Sequence, residues 1–296
     1  MNDILSKCNL CPRNCGVNRH ETIGVCDAGD NIKLAYYSLH RWEEPVISGT
    51  NGSGTVFFSH CNLKCIFCQN KKISTGGYGK IISNDRLKEI FLELQKKGAH
   101  NINLVTPTPF VPLIADVLQE IKGKELTIPV VYNTSSYENV ETIKIMNGLV
   151  DIYLADLKYY SNELGLKYSR CSNYFEIASK AIDEMVKQVG TFEIVDGLMK
   201  KGVIVRVLIL PGHIEDSKKI IKYLYDKYHD EVIISIMNQY TPIEKLEYDN
   251  LNRKVTDDEY DEVVNYAYDL GVRMAFMQEG ETQSESFIPD FDCSIV

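Results

Sequence analysis

The residues of this chain best suited to chemistry are its cysteines. There are nine in 296 residues, and seven fall within the first 68. Cys61, Cys65 and Cys68 stand in the segment HCNLKCIFCQN, a Cys-x3-Cys-x2-Cys spacing. Three thiolates in eight residues can wrap one face of a small metal cluster. A closed zinc site normally takes four ligands, and no further Cys or His follows within a few residues. Three thiolates on a [4Fe–4S] cube leave one iron open to a substrate, whereas fully ligated ferredoxin clusters use four. Cys8, Cys11, Cys15 and Cys26 form a second group, four thiols within nineteen residues. Four thiolates complete either a tetrahedral zinc site or a second iron–sulfur cluster, and the spacing leaves both open. Metal binding there would supply folding energy to a segment without a core of its own. Cys171 and Cys293 read as plain thiols.

The chemistry assumes reduced thiols. The N-terminus, MNDILSKCNLCPRNC, has no apolar run of signal-peptide length. The longest apolar stretch, Val203 to Leu210, is short for a membrane helix and carries Arg206. A soluble, cytoplasmic protein is expected, so clustered cysteines read as metal ligands rather than disulfides. With 44% hydrophobic and 25% charged residues the chain is globular, not disordered. The 32 Lys and Arg against 41 Asp and Glu give a net charge of −9, which argues against nucleic acid or an anionic membrane as partner.

The positioning elements can be read from the periodicity. The first 50 residues are rich in Cys, Arg, Asn and Gly and show little of it. Gly49 to Gly54 (GTNGSG) punctuates the chain, predicting a metal-binding segment at 1–50 and a barrel unit with a C-terminal extension at 51–296. Short β-branched runs then alternate with amphipathic stretches. Strands are expected at 55–59, 101–106, 129–133, 151–156, 203–210 and 232–238, with a last one at 272–277. Helices are expected at 84–97 (N-cap Asn84), 110–122, 138–147, 173–201 (broken near Gly190), 215–228 and 256–270. Near-continuous apolar strands covered by helices mean a parallel sheet. Six or seven units fit a barrel or partial barrel better than a sandwich or bundle, with an open doubly wound sheet as the alternative. Sites on such barrels lie at the C-terminal strand ends.

On Cys61-x3-Cys65-x-Phe67-Cys68, placed directly after the first barrel strand, the chain resembles the radical S-adenosylmethionine (radical SAM) superfamily. The resemblance implies an α/β fold, a partial (β/α)6 TIM-like barrel. It implies Cys61, Cys65 and Cys68 as catalytic cluster ligands, and SAM chelated at the open iron. One-electron cleavage of the sulfonium would give methionine and a 5′-deoxyadenosyl radical that takes hydrogen from a substrate. Phe67 would pack near the adenine. Asn133 and Thr134, Asp156 and Lys158 of an Asp-x-Lys motif, and Arg206 before Leu210-Pro211-Gly212 look like strand ends of pyruvate formate-lyase activating enzymes and their relatives. These residues, with Asn238 or Gln239, are candidate SAM or substrate contacts. Where most of the superfamily has a Gly-Gly-Glu-type motif, this chain has Val105-Thr106-Pro107-Thr108-Pro109, and the Thr106 or Thr108 hydroxyl would substitute. That departure, the HRWEEPVISG stretch at 40–49 and the four N-terminal cysteines resemble the PflX-type subgroup. The resemblance also implies an electron donor such as flavodoxin or ferredoxin, and a small-molecule or protein substrate that includes a glycyl-radical protein as one option. A non-catalytic iron–sulfur, zinc or electron-transfer protein is the alternative. His60, His213 and Glu44 read as structural residues.

Overall fold

The computed structural model describes residues 4–278, 291 and 296. Its centre is a run of parallel strands: β2 (Ser53–Phe58), β4 (Ile102–Val105), β5 (Val130–Thr134), β6 (Ile152–Asp156), β8 (Leu198–Leu208), β9 (Ile233–Met237) and the short β10 (Ala275–Met277). Helices α3 (Asn84–Lys96), α4 (Val111–Ile121), α5 (Val140–Ile145), α6 (Asn162–Ser169), α7 (Tyr174–Val189), α8 (Ile214–Tyr228) and α9 (Asp257–Leu270) fill the crossovers. This is the expected partial barrel of six βα units, with β10 added at one edge. Two antiparallel strands extend the other edge: β1 (Ile32–His40) pairs with β2, and β3 (Lys80–Ile82) pairs with β1. Two one-turn helices, α1 (Pro45–Ser48) and α2 (Lys71–Ser74), follow β1 and the loop after β2.

Alternation along each strand assigns the two faces. Val56, Leu104, Tyr132, Tyr153, Val205 and Ile234 point to the helices and join the main apolar core. The other face carries Val131, Ile152, Leu154, Ile204 and Ile233, plugged from below by Ile47 of α1. Further along this face stand Asn103, Asn133, Asp156, Arg206 and Ser235, one from each of five neighbouring strands. A period of two thus puts an apolar plug at one end of the barrel interior and polar groups near the C-terminal strand ends. Parallel register completes the placement: Asp156 pairs with Arg206, and Arg206 with Ser235.

Several expectations need correction. The boundary at residue 50 falls inside an antiparallel pair, because Leu39 lies opposite Gly54. Residues 32–40 are therefore part of the barrel sheet, hidden from the composition by the Cys-rich segment before them. The helix expected to reach Lys201 stops at Val189, and β7 (Glu193–Val195) follows, antiparallel to β8. The two residues between them, Asp196 and Gly197, both have positive φ (52° and 76°). That is the conformation of the tight hairpin turns that Asp-Gly favours. The cap of α3 is Ser83 rather than Asn84, since the Ser83 side chain accepts from the Arg86 amide. The 272–277 strand is the three-residue β10. Most of the C-terminal extension beyond residue 278, and Cys293 with it, lies outside the described residues.

Candidate active site and cysteine centres

The chain leaves β2 at Phe58 and makes a loop through residue 70 before α2. His60 and Lys64 take positive φ (74° and 56°), which turns the loop back over the strand ends. Loop contacts come from several elements: the Ile66 amide donates to the Tyr168 carbonyl at 2.9 Å, and Asn62 Nδ2 to the Tyr137 carbonyl at 2.6 Å. Cys61, Cys65 and Cys68 all line one cavity of about 270 Å3 at the C-terminal strand ends. Each sulfur accepts hydrogen bonds from its surroundings. Cys61 takes the Leu63 amide at 3.4 Å, Cys65 the Ser169 hydroxyl at 3.1 Å, and Cys68 the Ser74 hydroxyl at 3.3 Å. Burial pushes all three thiols up from their ordinary range. A metal cluster taking them as thiolates must therefore displace three protons.

Opposite the thiols stands a buried charge network. Asp156 Oδ1 accepts from Arg206 Nε at 2.6 Å, and its Oδ2 from Lys158 Nζ at 2.7 Å. Arg206 also donates to Asn133 Oδ1 at 2.7 Å and pairs with Glu43 at 3.4 Å. Burial raises the Asp156 carboxyl, but Arg206 and Lys158 outweigh it and hold it below its usual value. For Lys158 and Arg206, burial opposes the charge and is overcome by Asp156, so both are raised. Glu43 is pushed up by burial against the pull of Arg206, and Glu44 to about 6 by burial.

Most of the proposed contacts reach this cavity. Phe67, Thr106, Asn133 and Thr134 line it, with Asp156, Lys158 and Arg206. Gln239 lines it too. Phe67 is held edge-on by Tyr159, Tyr168 and Tyr240, with ring centroids 5.8–6.5 Å apart. Thr108 is the exception. It does not line the cavity, because its hydroxyl donates at 2.6 Å to the buried Glu138. Two residues on from Thr106, Thr108 opens a 3-10 segment at 108–110 and is turned away from the cavity. Glu44 is buried beside the network, not solvated. His213 meets the Tyr168 hydroxyl at 2.8 Å and serves packing. Cys171 is buried, with its thiol pushed up to about 12 by burial. Sequence reasoning missed Glu43 and Ser169; the apolar patterning that finds strands says nothing about loop residues that fold back.

The donor set suits a three-thiolate cluster: soft sulfurs facing one cavity, hydrogen-bonded, with a cationic Lys158 close enough to act on Cys65. The family model of the radical SAM superfamily matches residues 55–224, from β2 through most of α8. The chain belongs to the radical SAM superfamily. It is 33% identical over 275 residues to an uncharacterized protein of Methanocaldococcus jannaschii, covering 90% of this chain and 75% of that one. Among solved structures, the radical SAM methyltransferase from Sphaerobacter thermophilus matches with a TM-score of 0.54 and 11% identity, over 77% of this chain and 67% of that one. Streptococcus suis SuiB bound to its precursor peptide SuiA matches with a TM-score of 0.53 and 14% identity, over 74% of this chain. This radical SAM chain spans 46% of the length of SuiB. These two likenesses show the shared fold.

The first cysteine group does not line this cavity. Cys8, Cys11 and Cys26 are buried and Cys15 is half-buried. Cys11 feels the charge of Cys26 and Cys15, and Cys26 that of Cys8 and Cys15, so the four are neighbours. Burial raises Cys26, and Cys11 to about 12. Among the described residues, no three His, Cys, Asp or Glu side chains stand close enough to ligate one metal ion. That holds for both cysteine groups. No described helix is long and apolar enough to cross a membrane.

Proposed function

We propose that this enzyme cleaves SAM reductively at a [4Fe–4S] cluster held by Cys61, Cys65 and Cys68 and abstracts hydrogen from an organic substrate. The observation that carries it is the convergence of these three thiols with Lys158, Asp156 and Arg206 on one cavity. Held by Cys61, Cys65 and Cys68, such a cluster would supply the one electron needed to split the sulfonium of SAM into methionine and a 5′-deoxyadenosyl radical. The protein's own residues bind, orient and exclude water. Lys158 offers its ammonium to the SAM carboxylate, and Asp156 fixes Lys158 and Arg206 in place. Thr106, Asn133 and Thr134 present hydroxyl and amide groups to the rest of the cofactor, while Phe67 walls the adenine side.

Cys8, Cys11, Cys15 and Cys26 hold a second metal centre in this reading. Four thiolates complete either a tetrahedral zinc site or an iron–sulfur cluster, and iron, sulfide and zinc measured per chain in anaerobically purified protein decide between them. A reduced cytoplasm and a flavodoxin- or ferredoxin-type donor go with this chemistry. The likeness of the strand ends to pyruvate formate-lyase activating enzymes makes a glycyl-radical protein the first substrate to try.

Anaerobically reconstituted protein, reduced in the presence of SAM, should release 5′-deoxyadenosine and methionine. The absence of product above a Cys65→Ala control would overturn the assignment. Tight SAM binding without turnover across several reductants would point to a non-catalytic role.

A further inference from the structure

The four-cysteine segment touches the cluster loop at two places, through Arg13, two residues from both Cys11 and Cys15, and Asp27, next to Cys26. Arg13 stands midway between Cys11 and Cys15. Its Nε donates to the Asn62 carbonyl at 2.9 Å, and its Nη2 to the Leu63 carbonyl at 3.2 Å. The same guanidinium donates to the carbonyls of Ser169 at 2.9 Å and Arg170 at 2.6 Å, at the end of α6. Helix ends leave such carbonyls without partners, and a cation there is favourable. Asp27, directly after Cys26, forms an ion pair with Lys64. Asn62, Leu63 and Lys64 are the three residues between Cys61 and Cys65.

The loop after β5 grips the segment from another side. The Tyr137 ring lies 5.3 Å from the Arg13 guanidinium, and the Tyr137 carbonyl takes Asn62 Nδ2. Asn139 Nδ2 donates to the Asn9 carbonyl at 2.8 Å, and Thr142 to the Leu10 carbonyl at 2.6 Å. Ser169 closes the circuit: its carbonyl accepts from Arg13 while its hydroxyl donates to Cys65. Four carbonyls from two segments suit a planar five-donor fork, which a lysine's single ammonium cannot reproduce.

Residues 4–31 contain no helix or strand of their own, and their satellite core is Leu5, Cys8 and Leu10. What holds the four thiols together therefore also holds Arg13 and Asp27. We propose that occupancy of the four-thiol centre sets the geometry of the cluster loop through these two positioning residues. When the centre is filled, Arg13 and Asp27 hold residues 62–64 so that Cys61 and Cys65 face one cluster. This inference rests on the reading of Cys8, Cys11, Cys15 and Cys26 as metal ligands.

The test is amide hydrogen exchange on anaerobically reconstituted full-length protein, read on peptides spanning 59–69, with iron and zinc measured per chain. Arg13→Lys and Asp27→Asn should leave the N-terminal metal bound. Arg13→Lys should speed exchange in that peptide about tenfold, the effect of losing one or two net hydrogen bonds. The paramagnetic resonance signal of the reduced Cys61/Cys65/Cys68 cluster should broaden in the same variant. A Cys8→Ser/Cys26→Ser double variant should lose the N-terminal metal and show the same faster exchange. Wild-type exchange and an unbroadened signal in Arg13→Lys would overturn the coupling. A double variant that loses metal yet keeps wild-type exchange would also overturn it, leaving the metal reading intact. A double variant that keeps all its metal would overturn the metal reading and the coupling with it.

Discussion

The Ser169 hydroxyl donates to the Cys65 sulfur at 3.1 Å, and the Tyr159 hydroxyl lies 2.7 Å from the same serine oxygen. A serine hydroxyl has one proton, so giving it to sulfur leaves Tyr159 to donate to Ser169. The relay ends at one specific thiol of the three. Hydrogen bonds to a cluster's sulfurs stabilise its more negative, reduced state.

Ser169→Ala should therefore lower the reduction potential of the Cys61/Cys65/Cys68 cluster. The expected shift is about −40 mV, the one-electron equivalent of about 1 kcal/mol. A redox titration followed by paramagnetic resonance reads it. Iron content at wild-type level with an unchanged potential would show that this hydrogen bond does not tune the cluster.

Asp156→Asn keeps the shape of the strand end but strips the charge that neutralises Arg206 and Lys158. Breaking one side of a buried ion pair costs about 3 kcal/mol. Thermal unfolding of the variant should show a clear loss of stability, and equilibrium dialysis a weaker hold on SAM. A wild-type melting temperature would mean that Glu43 alone satisfies Arg206.

Glu138 gives a pH signature. One of its oxygens accepts from Thr108, Thr134 and Tyr132, and the other has no partner. Burial pushes its carboxyl from 4.5 up to about 7. Between those values the native state holds a proton that the unfolded chain has released. Its contribution is thus complete below pH 4.5 and is lost as the pH rises through about 7. Glu138→Gln should flatten that decline, by at most about 3 kcal/mol. Glu44, raised to about 6, keeps part of the slope in the variant. Melting temperatures from pH 5 to 8 decide it: an equally steep decline in the variant would clear Glu138 of the effect.

The start of α9 is a capping box, in which Thr256 accepts from the Glu259 amide and Glu259 accepts from the Thr256 amide. Thr256→Ala should cost about 1 kcal/mol, a fall of about 2 °C in melting temperature. Arg253 hydrogen-bonds Glu259 and holds its carboxyl at about 2. Its contribution is present above pH 4.5 and fades as the pH falls toward 2. Glu259→Gln should therefore cost less stability in acid than at neutral pH, as read from melting temperatures at pH 3 and 7.

The sequence by itself determined what depends on residue type and local spacing. Cys61, Cys65 and Cys68 are readable as an open cluster site because three thiolates in eight residues have few other uses in a reduced protein. The parallel strands are readable because an apolar run such as Val203 to Leu210 must be covered on both faces. Asp156 and Arg206 are readable as strand-end polar groups for the same reason. Pairings between distant residues were decided by the tertiary structure. Glu43 reaches Arg206 across 163 residues, Ser169 finds Cys65 across 104, and Arg13 meets Arg170 across 157. No local pattern encodes these contacts, because each depends on how loops fold back once the sheet register is set. Thr108 shows the same limit from the other side: a hydroxyl two residues from the cavity was turned to Glu138 by a backbone twist that composition does not record.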